Sequence, residues 1–257
     1  MQFVLRLPYL ALSIVFVLVL YVLCAAANYT WVDSPFLQWL VYEEILSTHE
    51  DSFLEVLSAV LWLLSCAVFL YLFWMSRCKV ERFWFLFYAG LSFFALGEEI
   101  SWGHHLVDYS EYVPVIAGNN AQGETNLHNI NVAALLGLSE DFPYYRYLAN
   151  FSHLLNPLFY LFLSGLWLGL PLVKKAGVMG RFVLIKYMPV PGNGFLLFFF
   201  LHSIVFIFVD VVLFNVGYIY EMYIALAALI VGLDIYRGSL QQPATSDELV
   251  AMRSHDV

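Results

Sequence analysis

The chain has 257 residues, of which 62% are hydrophobic and only 12% charged, with 11 Lys and Arg against 20 Asp and Glu. Soluble domains run at about 45–50% apolar and about 25% charged, so this composition excludes a soluble globule and a disordered chain. A formal net charge of -9 leaves no basic surface for phosphates and excludes nucleic acid as a partner.

What remains is an all-α, polytopic membrane protein. A helix needs roughly 20 mostly apolar residues to cross a hydrocarbon core. In chain order, apolar runs predict spans over Leu7–Ala27, Phe53–Met75, a segment opening at Phe83, Phe151–Val173, Gly194–Phe214 and Tyr218–Ile235. The first resembles a signal peptide ending at Ala25-Ala26-Ala27, but it is longer than a usual signal core and reads as an uncleaved helix. The Phe83 segment is apolar only to Leu96 and then meets Gly97-Glu98-Glu99, so it must continue to about His105 or stop inside the bilayer. Between it and the next span, Leu106–Ala149 is the longest connection, with Ile130–Leu138 as an interfacial or re-entrant helix.

Six spans sort the charges. Arg6, Arg77, Lys79, Arg82, Lys174, Lys175, Arg181, Lys186, Arg237 and Arg253 fall on one side and only Arg146 on the other. The positive-inside rule then places both termini in the cytoplasm and the protein in the cell inner membrane. Residues 1–238 form one transmembrane domain and 239–257 a short cytoplasmic tail. Cys24, Cys66 and Cys78 lie in or beside spans, with no metal-knuckle or disulfide spacing.

Helical rise sets depth. Glu98 lies about 24 Å above the basic boundary, and Glu221 and Asp210 reach the same height on two other helices. His202 is deeper, at about 12 Å. Intramembrane carboxylates usually face a bundle interior or a wet cavity, so the expectation is one polar cavity opening outward.

Two segments concentrate the chemistry. In Gly97-Glu98-Glu99-Ile100-Ser101-Trp102-Gly103-His104-His105, a continuing helix would put Glu98, Ser101, His105 and Asp108 on one face. The plain alternative is a helix end meeting water, anchored by Trp102. In Asn119-Asn120-Ala121-Gln122-Gly123-Glu124-Thr125-Asn126-Leu127-His128-Asn129, Glu124 and His128 are four apart and suit a shared metal or a carboxylate–imidazole pair. The alternative is a capped helix start, with Thr125 or Asn126 as cap. Glu50, Asp51 and Glu55 read as acids suiting a helix N-terminus. Asn150, His153 and Pro157 share a helix face, and His153 there reads as a packing residue.

The two segments together resemble a family of bacterial multi-pass membrane proteins carrying Gly-Glu-Glu-Ile-Ser-Trp-Gly-Gln and Gln-Gly-Glu-x-Asn-Leu-His-Asn runs. The matching residues are Glu98, Glu99, Ser101, Trp102, Glu124, Asn126, His128 and Asn129, while His104 stands where the family run has Gln. The resemblance implies a multi-pass fold and no particular activity. A smaller similarity, Ser101 with His105, is to the alkaline ceramidase-like zinc hydrolases, whose later His-x3-His has no match here. The intramembrane CAAX-type proteases share the Glu-Glu pair without its following Arg.

Two functions remain open. The first is a non-enzymatic module whose Glu/His/Asp cavity binds a lipid, an ion, a small molecule or a membrane partner subunit. The second is a metal-dependent intramembrane hydrolase of a lipid-like substrate. Its catalytic set would be Glu98, Glu99, Ser101, Glu124 and His128, and a divalent metal would sit on Glu98, Glu99, His105, Glu124 and His128. In either reading Trp102, Asn126, Asn129, His153, His202, Asp210 and Glu221 support the site.

Overall fold

The computed structural model describes residues 7–28, 34–41, 53–104, 107, 109–120, 123, 125–177, 182–213 and 217–240. Apart from an isolated antiparallel bridge between Asn120 and Ile130, its described secondary structure is helical. The elements are α1 (Leu7–Asn28), α2 (Pro35–Trp39), α3 (Phe53–Met75), α4 (Lys79–Glu99), α5 (Pro114–Ala117), α6 (Val132–Leu135), α7 (Tyr145–Ala149), α8 (Ser152–Ser164), α9 (Leu170–Lys175), α10 (Val183–Lys186), α11 (Asn193–Leu213) and α12 (Gly217–Leu240). A wide turn over Gly165–Gly169 joins α8 to α9. Three helical stretches are long and apolar enough to cross a membrane: Phe53–Met75, Ser152–Lys175 and Ile219–Leu240. α4 has 21 residues, but Lys79, Glu81 and Arg82 sit at one end and Glu98 and Glu99 at the other.

α3 is the central rod and packs along both α4 and α12. Small residues allow the close approach. A Cβ added at Gly232 of α12 would stand 2.8 Å from Val68 of α3, and Ser92 of α4 donates to Ser65 of α3 at 3.2 Å. Such contacts replace a hydrophobic driving force where the surroundings are themselves apolar. Tyr88 stacks on Phe69 in the same seam, with ring centroids 5.0 Å apart. α1 and α11 close the other side against each other and α12. The outward faces stay apolar: Val56, Val60, Leu63 and Trp74 on α3 and Leu197, Leu201 and Ile204 on α11 are exposed. Faces of that kind suit hydrocarbon rather than water.

The bundle has two unlike ends. At the basic end Trp84 donates to the Leu184 carbonyl at 2.8 Å and Lys174 to that of Met188 at 2.6 Å, while Asp234 accepts from the Gly192 amide at 2.6 Å. These bonds satisfy backbone groups of the segment around α10. The acidic end, where α3 and α12 begin and α4 finishes, carries the residues singled out by sequence.

Several helix limits match the apolar runs, and Phe53–Met75 matches at both ends. Of the two outcomes open for the helix through Glu98, the early stop is the one found: α4 ends at Glu99, and Ser101, Trp102 and Gly103 take φ values of 46°, 54° and 86°. The cause is Trp102, whose ring folds back over Gly97; a Cβ at Gly97 would lie 2.7 Å from it. Ile130–Leu138, expected as one helix, does not form one. Only α6 forms, and its cap is Asn131, which accepts from the Ala134 amide at 2.9 Å. Residues 241–257, most of the expected tail, lie outside the described residues, and α12 runs on to Leu240.

Candidate functional site at the acidic end

Glu98 ends the buried face of α4 and is 8% exposed. Its Oε1 accepts from the Trp102 indole at 2.7 Å. Its Oε2 accepts from the Leu127 amide at 2.8 Å, the His128 amide at 3.0 Å and His128 Nδ1 at 3.1 Å. One carboxylate therefore fastens the loop that follows Thr125. The loop is tied again one turn away. Thr125 donates to the Ser101 carbonyl at 2.5 Å, and the Asn126 amide donates to Ser101 Oγ at 3.1 Å. Asn120 donates to both the carbonyl and the side-chain oxygen of Asn126 at 2.8 Å. Tyr109 reaches the Trp102 carbonyl at 3.0 Å and the Thr125 hydroxyl at 2.9 Å.

The left-handed turn is what exposes these acceptors. It costs about 1–2 kcal/mol for each non-glycine residue. In return it turns the Ser101 and Trp102 carbonyls toward Thr125 and Tyr109. Thr125 and Asn126 thus bond Ser101 rather than cap a helix.

His128 lies in a turn, and Glu124, its expected partner, is outside the described residues. The Glu98 carboxylate lies on Nδ1 and the Asn129 amide 3.2 Å from Nε2, so both ring nitrogens of His128 have partners. The His128 side chain is 27% exposed against 10% for Glu98, so the histidine is the solvent-reachable half of the pair.

Glu99 faces a different way. It accepts from Ser58 of α3 at 2.9 Å and lies near enough to Glu221 of α12 and Glu55 of α3 for their charges to interact. Glu221 accepts from Asn156 at 2.9 Å and from Tyr160 at 3.1 Å, both on α8. It also lies within charge-interaction range of His128, which joins the two groups. Four helices thus contribute to the Glu99–Glu221 pair.

Of the residues expected to converge, Glu98 and His128 are in contact at 3.1 Å, while Glu221 is held by Asn156 and Tyr160. His153 is exposed on α8. His202 belongs to a separate cluster deeper in the bundle. His105, Asp108 and Glu124 lie outside the described residues, as does the side chain of Asp210. Among the described residues no group of three or more His, Cys, Asp or Glu is arranged to hold a metal ion. Ser58, Tyr109 and Tyr160 were not apparent from sequence. The four-residue spacing of Asn156 and Tyr160 is a legible signal, since it places both on one helix face.

No family model matches the chain, and neither a curated protein nor a solved structure matches it.

Proposed function

We propose that the chain is a six-span inner-membrane protein, with both termini cytoplasmic, that binds an ion at an outward-facing acidic end. Six helical rods of 21 to 24 residues support the span number, counting Ser152–Lys175 as one. The gathering of Trp84, Lys174 and α10 at one end and of Glu98, Glu99 and Glu221 at the other agrees with the positive-inside orientation.

The observation that carries the reading is the meeting of Glu99 and Glu221. Their hydrogen-bond donors, Ser58, Asn156 and Tyr160, are neutral. Neutral donors solvate a carboxylate without cancelling its charge. Two half-buried carboxyl groups near enough for their charges to interact therefore favour a positive partner, a proton or a cation. The neighbouring Glu98–His128 pair gives that ion an exchange point toward solvent.

Metal-dependent hydrolysis is less well supported. It would need Glu98, Glu99, His105, Glu124 and His128 around one metal. Both His128 ring nitrogens and both Glu98 oxygens already have partners within the protein, and Glu99 turns to another neighbour.

A hydrophobic carbodiimide, which couples to a carboxyl group carrying its proton, tests the ion site. In reconstituted protein, mass spectrometry should find the label on Glu99 or Glu221. Raising the pH, or adding Na⁺ or K⁺ in place of choline, should slow it. Labelling of both residues no faster than of the exposed Glu111 and Glu140 would end this reading.

A further inference from the structure

At the basic end, the stretch around α10 shows large apolar side chains where the bundle is most polar. Phe182, Val183 and Leu184 are 62%, 58% and 51% exposed, and Tyr187 is 42% exposed. The fold fixes that exposure. Trp84 of α4 holds the Leu184 carbonyl, Lys174 of α9 that of Met188, and Asp234 of α12 the Gly192 amide. Three helices thus pin the backbone, with the Met188 side chain buried in the core and its neighbours left outside. An apolar surface held in place this way marks a contact with something apolar.

The charge beside it is positive. α9 packs against α10, and Lys175 and Lys186 are exposed in their last turns. Their partners are neutral: Lys175 bonds the Asn193 side chain, and the Lys186 ammonium lies 5.1 Å from the Tyr187 ring centroid. Residues 170–193 contain no Asp or Glu. The net charge of -9 is a sum over the chain, and the absence of a basic surface read from it does not hold at this end.

We propose that α9 and α10 form a binding site for an anionic phospholipid. Lys175 and Lys186 hold the headgroup phosphate, and Phe182, Val183, Leu184 and Tyr187 lie against its acyl chains. One such molecule complements both surfaces. Soluble phosphate would leave the apolar side chains in water, and a neutral lipid would leave the lysines without an anion. Tyrosine and lysine side by side also suit the boundary between headgroups and hydrocarbon, where the ring and the lysine stem are apolar and their tips are wet. The site requires the membrane setting that the three long apolar helices support, and it is independent of the ion proposed at Glu99 and Glu221.

Native mass spectrometry of the full chain in detergent tests it, by titration with phosphatidylglycerol or with phosphatidylcholine of the same acyl chains. Phosphatidylglycerol should bind roughly tenfold or more tightly, the effect of two cations at a headgroup. Lys175→Gln with Lys186→Gln should remove that preference, and Lys175→Arg with Lys186→Arg should keep it. Phe182→Ser with Leu184→Ser should weaken phosphatidylglycerol binding as well. Arg146→Gln, at the acidic end, should leave it unchanged. Equal affinity for the two lipids would overturn the site and leave the apolar surface to a protein partner. Glycerol phosphate binding as tightly as the lipid, or full affinity in the serine variant, would show a site for soluble phosphate instead. A loss in Arg146→Gln equal to that in the glutamine pair would reduce the preference to overall charge and also overturn the site.

Discussion

The α3–α4–α12 seam and the end of α4 are held by different physics. In the seam, backbone groups are satisfied inside each helix, and the contacts are between shapes: Gly232 against Val68, Tyr88 on Phe69, Ser65 with Ser92. At the end of α4 the backbone leaves the helix, and side chains take over its hydrogen bonding. Glu98 alone accepts from two amides, an indole and an imidazole. The seam should therefore respond to changes in volume, and the acidic end to loss of a single acceptor.

The largest effect is expected from Glu98→Ala, which leaves the Leu127 and His128 amides without their acceptor. About 3 kcal/mol or more should be lost, measured by reversible unfolding in bicelles, with Glu98→Gln recovering part of it. A Glu98→Ala protein as stable as wild type would remove the contrast between the regions. Next is Gly97→Ala, whose new methyl group collides with the Trp102 ring. It should cost about 1–3 kcal/mol and shift the Trp102 fluorescence as the ring is displaced. An unshifted spectrum would mean the turn is not held by this contact. The smallest effect belongs to the seam, where Ser65→Ala should cost about 0.6 kcal/mol, the average for interhelical hydrogen bonds in a membrane. A loss as large as that from Glu98→Ala would show that the seam depends on polarity after all.

The same division explains what could be read in advance. Glu98, Glu221 and Asp210 were expected at one height because helical rise is fixed, and of these Glu98 is found bonded to His128. A helix end near Glu99 was one of two readings, but the left-handed turn after it was not readable: Ser and Trp carry no signal for one, and Gly97 matters only because Trp102 returns to it. Thr125 and Asn126 have the chemistry of helix caps, but their acceptors on Ser101 are supplied by another part of the chain. His202 lies among aromatic rings, which sequence could not show, since a lone histidine's partners depend on which helices pack against it.

Sequence alone determined the helical rods and the apolar character of their outer faces. These follow from hydrophobicity and a constant rise per residue, both properties of neighbouring residues. Only the tertiary structure decided that adjacent glutamates serve two groups, Glu98 holding a loop and Glu99 meeting Glu221. Consecutive side chains on a helix point about 100° apart, and what each one meets is set by residues far away in the chain.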